Sequence, residues 1–285
     1  MTCATIWGTT WFAIRLSIGE FGFPTMFAAS LRFGIASLIL WAVWFFCSKR
    51  KSEGGLRWMA LCGLLNGLNY ALIYAAEEHI SGAIAAVLYA TLPLFVAFTA
   101  TVARVERVTA RDIVGACIAI IGIFVLTRER STASVNGVFG ISLLLLSIFT
   151  CAVYNVIFKK TSTKVSSLSG LAVFFSFSTI FLIATTLLWE GPVLPERYPF
   201  TASMAILYLA VFGSVIAFAA YFALLRRSTL MTAATLTFVQ PIFAILVDAA
   251  FEKEIVLGPS AYAGVGITLV GVAVSRLFFT TPRPS

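Results

Sequence analysis

Charge is the scarcest feature of this chain. Only 11% of its 285 residues are charged, against roughly 25% in a soluble domain. A single histidine, His79, leaves too few groups for most metal or acid–base chemistry. The five cysteines, Cys3, Cys47, Cys62, Cys117 and Cys151, lie within or at the ends of apolar runs without CxxC spacing. That arrangement indicates neither a metal site nor a disulfide framework. There is no GxxxxGK(S/T) phosphate loop, so the chain is not expected to hydrolyse ATP itself. No basic stretch precedes the first apolar run, so it does not read as a cleaved signal peptide. Apolar character starts almost at Met1, and a few further residues upstream are expected in the natural chain. No cofactor is expected.

What fills the chain is apolar. Sixty per cent of the residues are hydrophobic and the mean hydropathy is +0.98, the composition of an integral membrane protein. Its 26 Phe and 20 Gly agree with this, since glycine lets helices approach closely where lipid gives no hydrophobic drive for association. The net charge of +8 raises the question of nucleic acid, but the basic residues form short clusters between long apolar runs, as at Lys49-Arg50-Lys51. That is a membrane-topology pattern, and no nucleic-acid partner is expected.

Two stretches repeat one another. The first runs from Ser81 through Tyr89-Ala90-Thr91-Leu92-Pro93 to Arg104-Val105-Glu106-Arg107, and the second from Thr229 through Thr237-Phe238-Val239-Gln240-Pro241 to Glu252-Lys253-Glu254. Pro241 follows Pro93, and Glu254 follows Glu106, by the same 148 residues. Behind each Glu lies an apolar segment with glycines seven apart, Gly115 and Gly122, then Gly264 and Gly271. An echo this long marks a structural repeat. The chain divides into residues 1–130 and 131–285.

A bilayer core about 30 Å thick takes about 20 apolar residues as helix. Ten segments qualify, near 2–18, 26–47, 57–76, 82–103, 110–127, 137–158, 168–189, 201–224, 230–250 and 258–278. A membrane β-barrel would alternate polar and apolar residues, and these runs do not. With the second loop cytoplasmic, fourteen Lys and Arg fall inside and five outside, which predicts both termini in the cytoplasm. Five helices per repeat is odd, so the second copy enters from the opposite side. The expected fold is all-α: ten transmembrane helices as two inverted five-helix repeats. In carriers built this way the substrate site lies near the midplane between the repeats, and rocking exposes it to each side in turn.

Trp7-Gly8-Thr9-Thr10-Trp11 with Arg15, Ser30-Leu31-Arg32-Phe33, and the two Pro-to-Glu blocks resemble the EamA-type family of the drug/metabolite transporter superfamily. The resemblance spans nearly the whole chain. It implies a ten-helix carrier of the inner membrane, commonly an exporter of amino acids or other small metabolites, and it is similar to the branch that exports aromatic and other neutral amino acids. The second half departs at the helix-one position, where Cys151-Ala152-Val153-Tyr154-Asn155 stands against Trp7 to Trp11.

Several residues are candidates for the substrate site. Arg32 is an ionisable group inside a predicted helix, a costly and usually functional placement. It either holds a substrate carboxylate or, the commoner use, pairs with Glu20, Glu77 or Glu78 or reaches outward along its stem. Asn66, Tyr70 and Tyr74 share i, i+4 spacing with Asn69 beside them, a stripe polar enough to line a cavity. Tyr89 stands just before Pro93, and Gln240 adjoins Pro241. These prolines either face the centre as helix kinks or only bend their helices for packing. Glu106 and Glu254 either cap loops or gate. Trp7 and Trp11 share one face of the first helix; Tyr208, Ser214 and Tyr221 mark the eighth. Asn155 is preferred over Tyr154, because an amide facing lipid would be unsatisfied.

Absences narrow the substrate. No acidic residue lies in the first helix and no basic group gathers at midplane, which disfavours a cationic-drug antiporter and a carrier of phosphorylated sugars. A neutral or zwitterionic small molecule remains, carried by a protein whose other partner is the lipid bilayer and whose simplest state is a monomer. Other small metabolites or drugs are the alternative cargo. A membrane-embedded enzyme would want a nucleophile beside a base, and a channel a charged or carbonyl-lined filter; neither stands out.

Overall fold

In the computed structural model, the residues described are 2–18, 22–47, 55–105, 110–127, 135–161, 167–192, 198–238, 240–241, 243–244, 247 and 258–276. They are almost wholly helical, with one isolated bridge, Ile18 to Phe23, and no strand among them. Described helix falls in every stretch that hydropathy marks. Six spans are long and apolar enough to cross a membrane: Thr25–Phe46, Leu56–Glu77, Gly82–Val102, Val135–Thr161, Leu168–Trp189 and Phe200–Arg227. The surface agrees, since Phe46, Leu188 and Trp189 are more than four-fifths exposed, a cost in water that lipid removes. The chain is a multi-pass membrane protein.

The helices are α1 (Thr2–Ser17), α2 (Thr25–Cys47), α3 (Leu56–Glu77), α4 (Gly82–Tyr89), α5 (Leu92–Val102), α6 (Ala110–Thr127), α7 (Val135–Thr161) and α8 (Ser167–Trp189). Then α9 (Phe200–Tyr208) passes through a π-helical segment, Leu209–Ile216, into α10 (Ala217–Arg227). Leu230–Ala234 forms α11, followed by a 3₁₀ turn at Thr235–Phe238, and Pro259–Arg276 forms α12. Local chemistry sets the ends. Ser81 caps α4 by accepting the Ile84 amide at 3.3 Å. Pro93 sits in the first turn of α5, where its missing N–H costs least; this divides the fourth span into α4 and α5 around Ala90-Thr91. Glu190, beyond α8, accepts the Met26 and Phe27 amides at 2.7 and 3.0 Å and so caps α2 from the other half of the chain.

Packing joins the halves throughout. Helix α3 lies against α7 and α8, α2 against α8 and the π segment, α5 against α7, and α1 against α9 and α10. Helices α6 and α12 pair along their small residues. A Cβ on Gly122 would fall 2.8 Å from the Gly264 carbonyl oxygen and closer still to Thr268, and one on Gly271 would fall 2.7 Å from the Gly115 carbonyl oxygen. The small-residue faces on these two helices are therefore filled within one chain, through backbone approach that only glycine allows.

Replacing Gly271 by Ala should lower the stability of the purified protein by about 1–3 kcal/mol, the cost of overpacking. Gly266→Ala, on the same helix with nothing within 4 Å of its Cβ position, should leave the unfolding midpoint unchanged. Thermal unfolding in detergent reads both. Equal shifts would show that α6 and α12 do not meet along this face.

Candidate functional site

A cavity lies at the middle of the bundle. Its first-half wall comes from Trp7, Thr10, Trp11 and Ile14 on α1, Tyr70 and Ile73 on α3, and Tyr89 and Leu92 at the α4–α5 break. Its second-half wall comes from Cys151 and Tyr154 on α7, Phe218 and Tyr221 on α10, and Thr237 and Gln240 beyond α11. Its empty volume is about 510 Å³, the mouth included, and aromatic rings crowd it. Trp7 meets Phe218 edge-on with centroids at 5.3 Å and Tyr221 at 5.0 Å; Trp11 meets Tyr89 at 5.3 Å.

The wall repeats itself. Tyr70 and Phe218, Ile73 and Tyr221, Tyr89 and Thr237, and Leu92 and Gln240 are four lining pairs, each 148 residues apart. Trp7 with Cys151 and Thr10 with Tyr154 make two more at a spacing of 144. None of the described residues that line it carries a charge. Polar groups do face it: the Tyr89 hydroxyl donates to Asn69 Oδ1 at 3.3 Å, and the Cys151 thiol donates to the Tyr154 hydroxyl at 3.2 Å. Among the described residues, Trp11 Nε1 has no hydrogen-bond acceptor.

Of the residues singled out in the sequence, Trp7, Trp11, Tyr70, Tyr89, Tyr221 and Gln240 line this cavity, and Pro93 and Pro241 each directly follow a lining residue. Others stand behind it. Asn69 braces the wall, its Oδ1 accepting both Tyr89 and, at 2.8 Å, Ser147. The stripe expectation is corrected: only Tyr70 of Asn66, Tyr70 and Tyr74 reaches the cavity, because successive i, i+4 steps rotate by about 40°. Asn66 turns instead to α8, donating to Ser178 Oγ at 3.0 Å, and Tyr74 is wholly buried outside the cavity lining. Asn155 points Nδ2 at Cys151 Sγ, 3.5 Å away, whereas Tyr154 lines the cavity, reversing the preference stated from sequence. Tyr208 shares a 2.6 Å hydrogen bond with Thr9 and lines a separate surface crevice. Glu106 and Glu254 lie outside the described residues.

Arg32 is also corrected. It does not reach outward: it is fully buried, and its Nε donates to Ser214 Oγ at 3.0 Å while Nη2 reaches the Gly213 carbonyl at 3.4 Å. Its Cζ lies 4.7 Å from the Tyr70 ring centroid and 5.0 Å from that of Phe33, within cation–π range. Neither Arg32 nor Ser214 lines the cavity. The π segment explains Ser214: its wider turn breaks the 3.6-residue period on which a face assignment rests. The Gly213 carbonyl in this segment also accepts from a second side-chain donor, Trp7 Nε1 at 3.1 Å. Thr10, Ile14, Ile73, Leu92, Cys151 and Phe218 carry no sequence signal of their own. Their spacing of 144 or 148 from another lining residue would have found all but Ile14.

The sequence pattern of the EamA-like transporter family matches residues 1–128 and 138–277. The chain belongs to this family. Among similar proteins is the uncharacterized inner membrane transporter YedA of Escherichia coli strain K12, 30% identical over 95% of this chain and 87% of that one. Protein PagO of Salmonella typhimurium is 25% identical over 87% and 82% of the two chains. An uncharacterized transporter of Archaeoglobus fulgidus is 25% identical over 95% and 94%. A solved crystal structure superposes with a TM-score of 0.69 over 97% of this chain and 95% of its own, at 19% identity, which shows the fold alone. This EamA-family chain is a transporter, and the cavity is its candidate site.

The two wall tryptophans should separate in a stability test. Trp7→Phe removes a buried hydrogen bond and should cost about 0.5–1.5 kcal/mol. Trp11→Phe removes an N–H without an acceptor and should cost less. Denaturant or thermal unfolding compares them, and a larger loss at Trp11 would show that its indole is anchored elsewhere.

Proposed function

We propose that this transporter is a secondary carrier of ten transmembrane helices in two inverted five-helix repeats, residues 1–130 and 131–285, working by alternating access. It exports small neutral or zwitterionic metabolites, above all amino acids including aromatic ones, across the cytoplasmic membrane, with both termini in the cytoplasm. It acts as a monomer without a cofactor. The observation that carries this reading is the cavity wall: uncharged, rich in aromatic rings, and built from pairs 148 residues apart in the two halves. Such pairing is what a pseudo-two-fold axis through a central site produces. Two family matches of similar length support the same division.

The wall also fits the cargo. Tyr and Trp rings give apolar contact area with a polar tip, so an aromatic or branched side chain can replace ring–ring contacts inside. The Trp11 N–H offers a donor to an amino-acid carboxylate, and the Asn69–Tyr89 pair a polar edge near the opposite ring. An uncharged wall leaves a phosphate group without cationic partners in contact.

Liposomes containing the purified protein, preloaded with one unlabelled compound at a time, should show saturable counterflow of labelled phenylalanine, tryptophan, threonine or methionine and none of a sugar phosphate or a cationic dye. Tyr70→Ala and Tyr89→Ala should each weaken affinity about tenfold, in line with loss of a stacked ring, while the protein stays folded. Activity with the sugar phosphate alone would overturn the substrate class. Unchanged affinity in both variants would remove the cavity from the transport path.

A further inference from the structure

Two cations reach across the bundle to backbone carbonyls. Arg15, near the end of α1, donates from Nη1 to the Ile80 carbonyl at 3.0 Å, between the end of α3 and the start of α4. Lys159, near the end of α7, donates from Nζ to the Leu225 and Ser228 carbonyls at 2.7 and 2.5 Å, where α10 gives way to α11. Arg15 and Lys159 are 144 residues apart, the spacing of Trp7 to Cys151 and of Thr10 to Tyr154, and Ile80 and Ser228 are 148 apart. The next turn keeps the register: the Ala85 amide donates to the Ser81 carbonyl and the Ala233 amide to that of Thr229, again 148 residues on. The ties of Asn66 to Ser178 and Arg32 to Ser214 echo one another in a similar way, Asn66 and Ser214 being 148 residues apart and Arg32 and Ser178 146. A basic side chain commonly caps the end of its own helix. These two reach the ends of other helices instead.

What they join borders the cavity. Helix α1 packs on α9 and α10, and α3 packs on α7. The cavity lies between these two pairs, with Trp7 and Tyr221 on one wall and Tyr70 and Tyr154 on the other. Arg15 ties the pairs together just beyond Ile14, and Lys159 ties them beyond Tyr154. The two ties stand at opposite ends of the bundle. A Cβ on Gly140, near the start of α7, would fall 2.9 Å from His79 Cβ, beside Ile80, and the 19 residues from there to Lys159 span about 28 Å of helix. Next to Lys159, Phe158 stacks on Phe222 with centroids 4.1 Å apart. Ile14 and Tyr74, which precede these rings by 144 and 148 residues, are buried as well.

Resting on the carrier reading above, we propose that Arg15 and Lys159 are the two gate residues of the transport cycle, each releasing its carbonyl when the cavity opens at its own end and holding it while the other end is open. Arg15 serves the outer mouth and Lys159 the inner one. Both are half-buried, so a released cation and carbonyl can turn to water at the membrane surface. A bond from a charged donor is stronger than a neutral one, which suits a tie that must hold one end while the other parts.

The test uses the full chain with Cys151, on the cavity wall, as its sole cysteine, Cys3, Cys47, Cys62 and Cys117 being replaced by Ala. A small membrane-impermeant thiol reagent is applied to right-side-out and inside-out vesicles. Arg15→Gln should raise the ratio of outside to inside labelling about tenfold, the scale of one hydrogen bond from a charged group, and Lys159→Gln should lower it by a similar factor. Arg15→Lys and Lys159→Arg should keep the parent ratio. A side chain that only braces the fold would speed labelling from both faces together; that result, or an unchanged ratio in both Gln variants, overturns the proposal. Opposite shifts on the reversed faces would uphold the gates and overturn the cytoplasmic placement of the termini. If Cys151 is labelled from neither face in protein that still exchanges cargo, the cavity is not the transport path, and the carrier reading of this site falls with the gates.

Discussion

The backbone carbonyl of Gly213 accepts hydrogen bonds from two side chains, Trp7 Nε1 and Arg32 Nη2, that come from α1 and α2. In lipid, where apolar contact between helices gains little over contact with acyl chains, such polar ties decide which helices meet and where. A regular α-helix would commit this carbonyl to an amide four residues on. The π segment at Leu209–Ile216 changes that ladder, and π segments tend to sit at functional sites. The glycine is required as well: a Cβ there would lie 2.9 Å from the Thr10 methyl and 3.2 Å from Arg32 Nη2. One wall of the cavity, through Trp7, and the buried cation behind another, through Tyr70, are positioned by the same atom.

What was legible in the sequence is what depends on composition and spacing. Apolar length marks the helices, because a bilayer of fixed thickness and a backbone that must satisfy itself leave few alternatives. The two Pro-to-Glu blocks share a spacing of 148 residues, and that spacing also relates Tyr70 to Phe218 and Ile73 to Tyr221, lining pairs with little chemical likeness. Side-chain direction was less legible. The polar stripe on α3 was read as one face, yet eight residues of α-helix turn Asn66 and Tyr74 about 80° apart, enough to send one to α8 and to leave the other off the cavity. Ser214 was misread because no residue in Leu209–Ile216 announces a π turn.

The preference for Asn155 over Tyr154 failed for a different reason. An amide in a membrane helix must find partners, and one of them here is a thiol on the same helix: Asn155 Nδ2 points to Cys151 Sγ. Chemical need says that a polar group is not facing lipid. It does not say which interior it faces. Arg32 makes a related point: the sequence left a choice between a substrate carboxylate and an acid partner or outward reach, and the structure turns the guanidinium inward, where it meets a serine hydroxyl, the Gly213 carbonyl and two aromatic faces.

Symmetry and its exception bear jointly on mechanism. Equivalent ties, Asn66 to Ser178 and Arg32 to Ser214, hold α3 on α8 and α2 on the π segment. On the carrier reading proposed above, if the halves were chemically identical, the two arrangements reached by rocking one half on the other would be equal in energy. Such a carrier would have no built-in difference between its two faces. Replacing a hydroxyl by a guanidinium on one side removes that degeneracy, because a charge and its neutral partners cannot be separated as cheaply as two hydroxyl-sized groups.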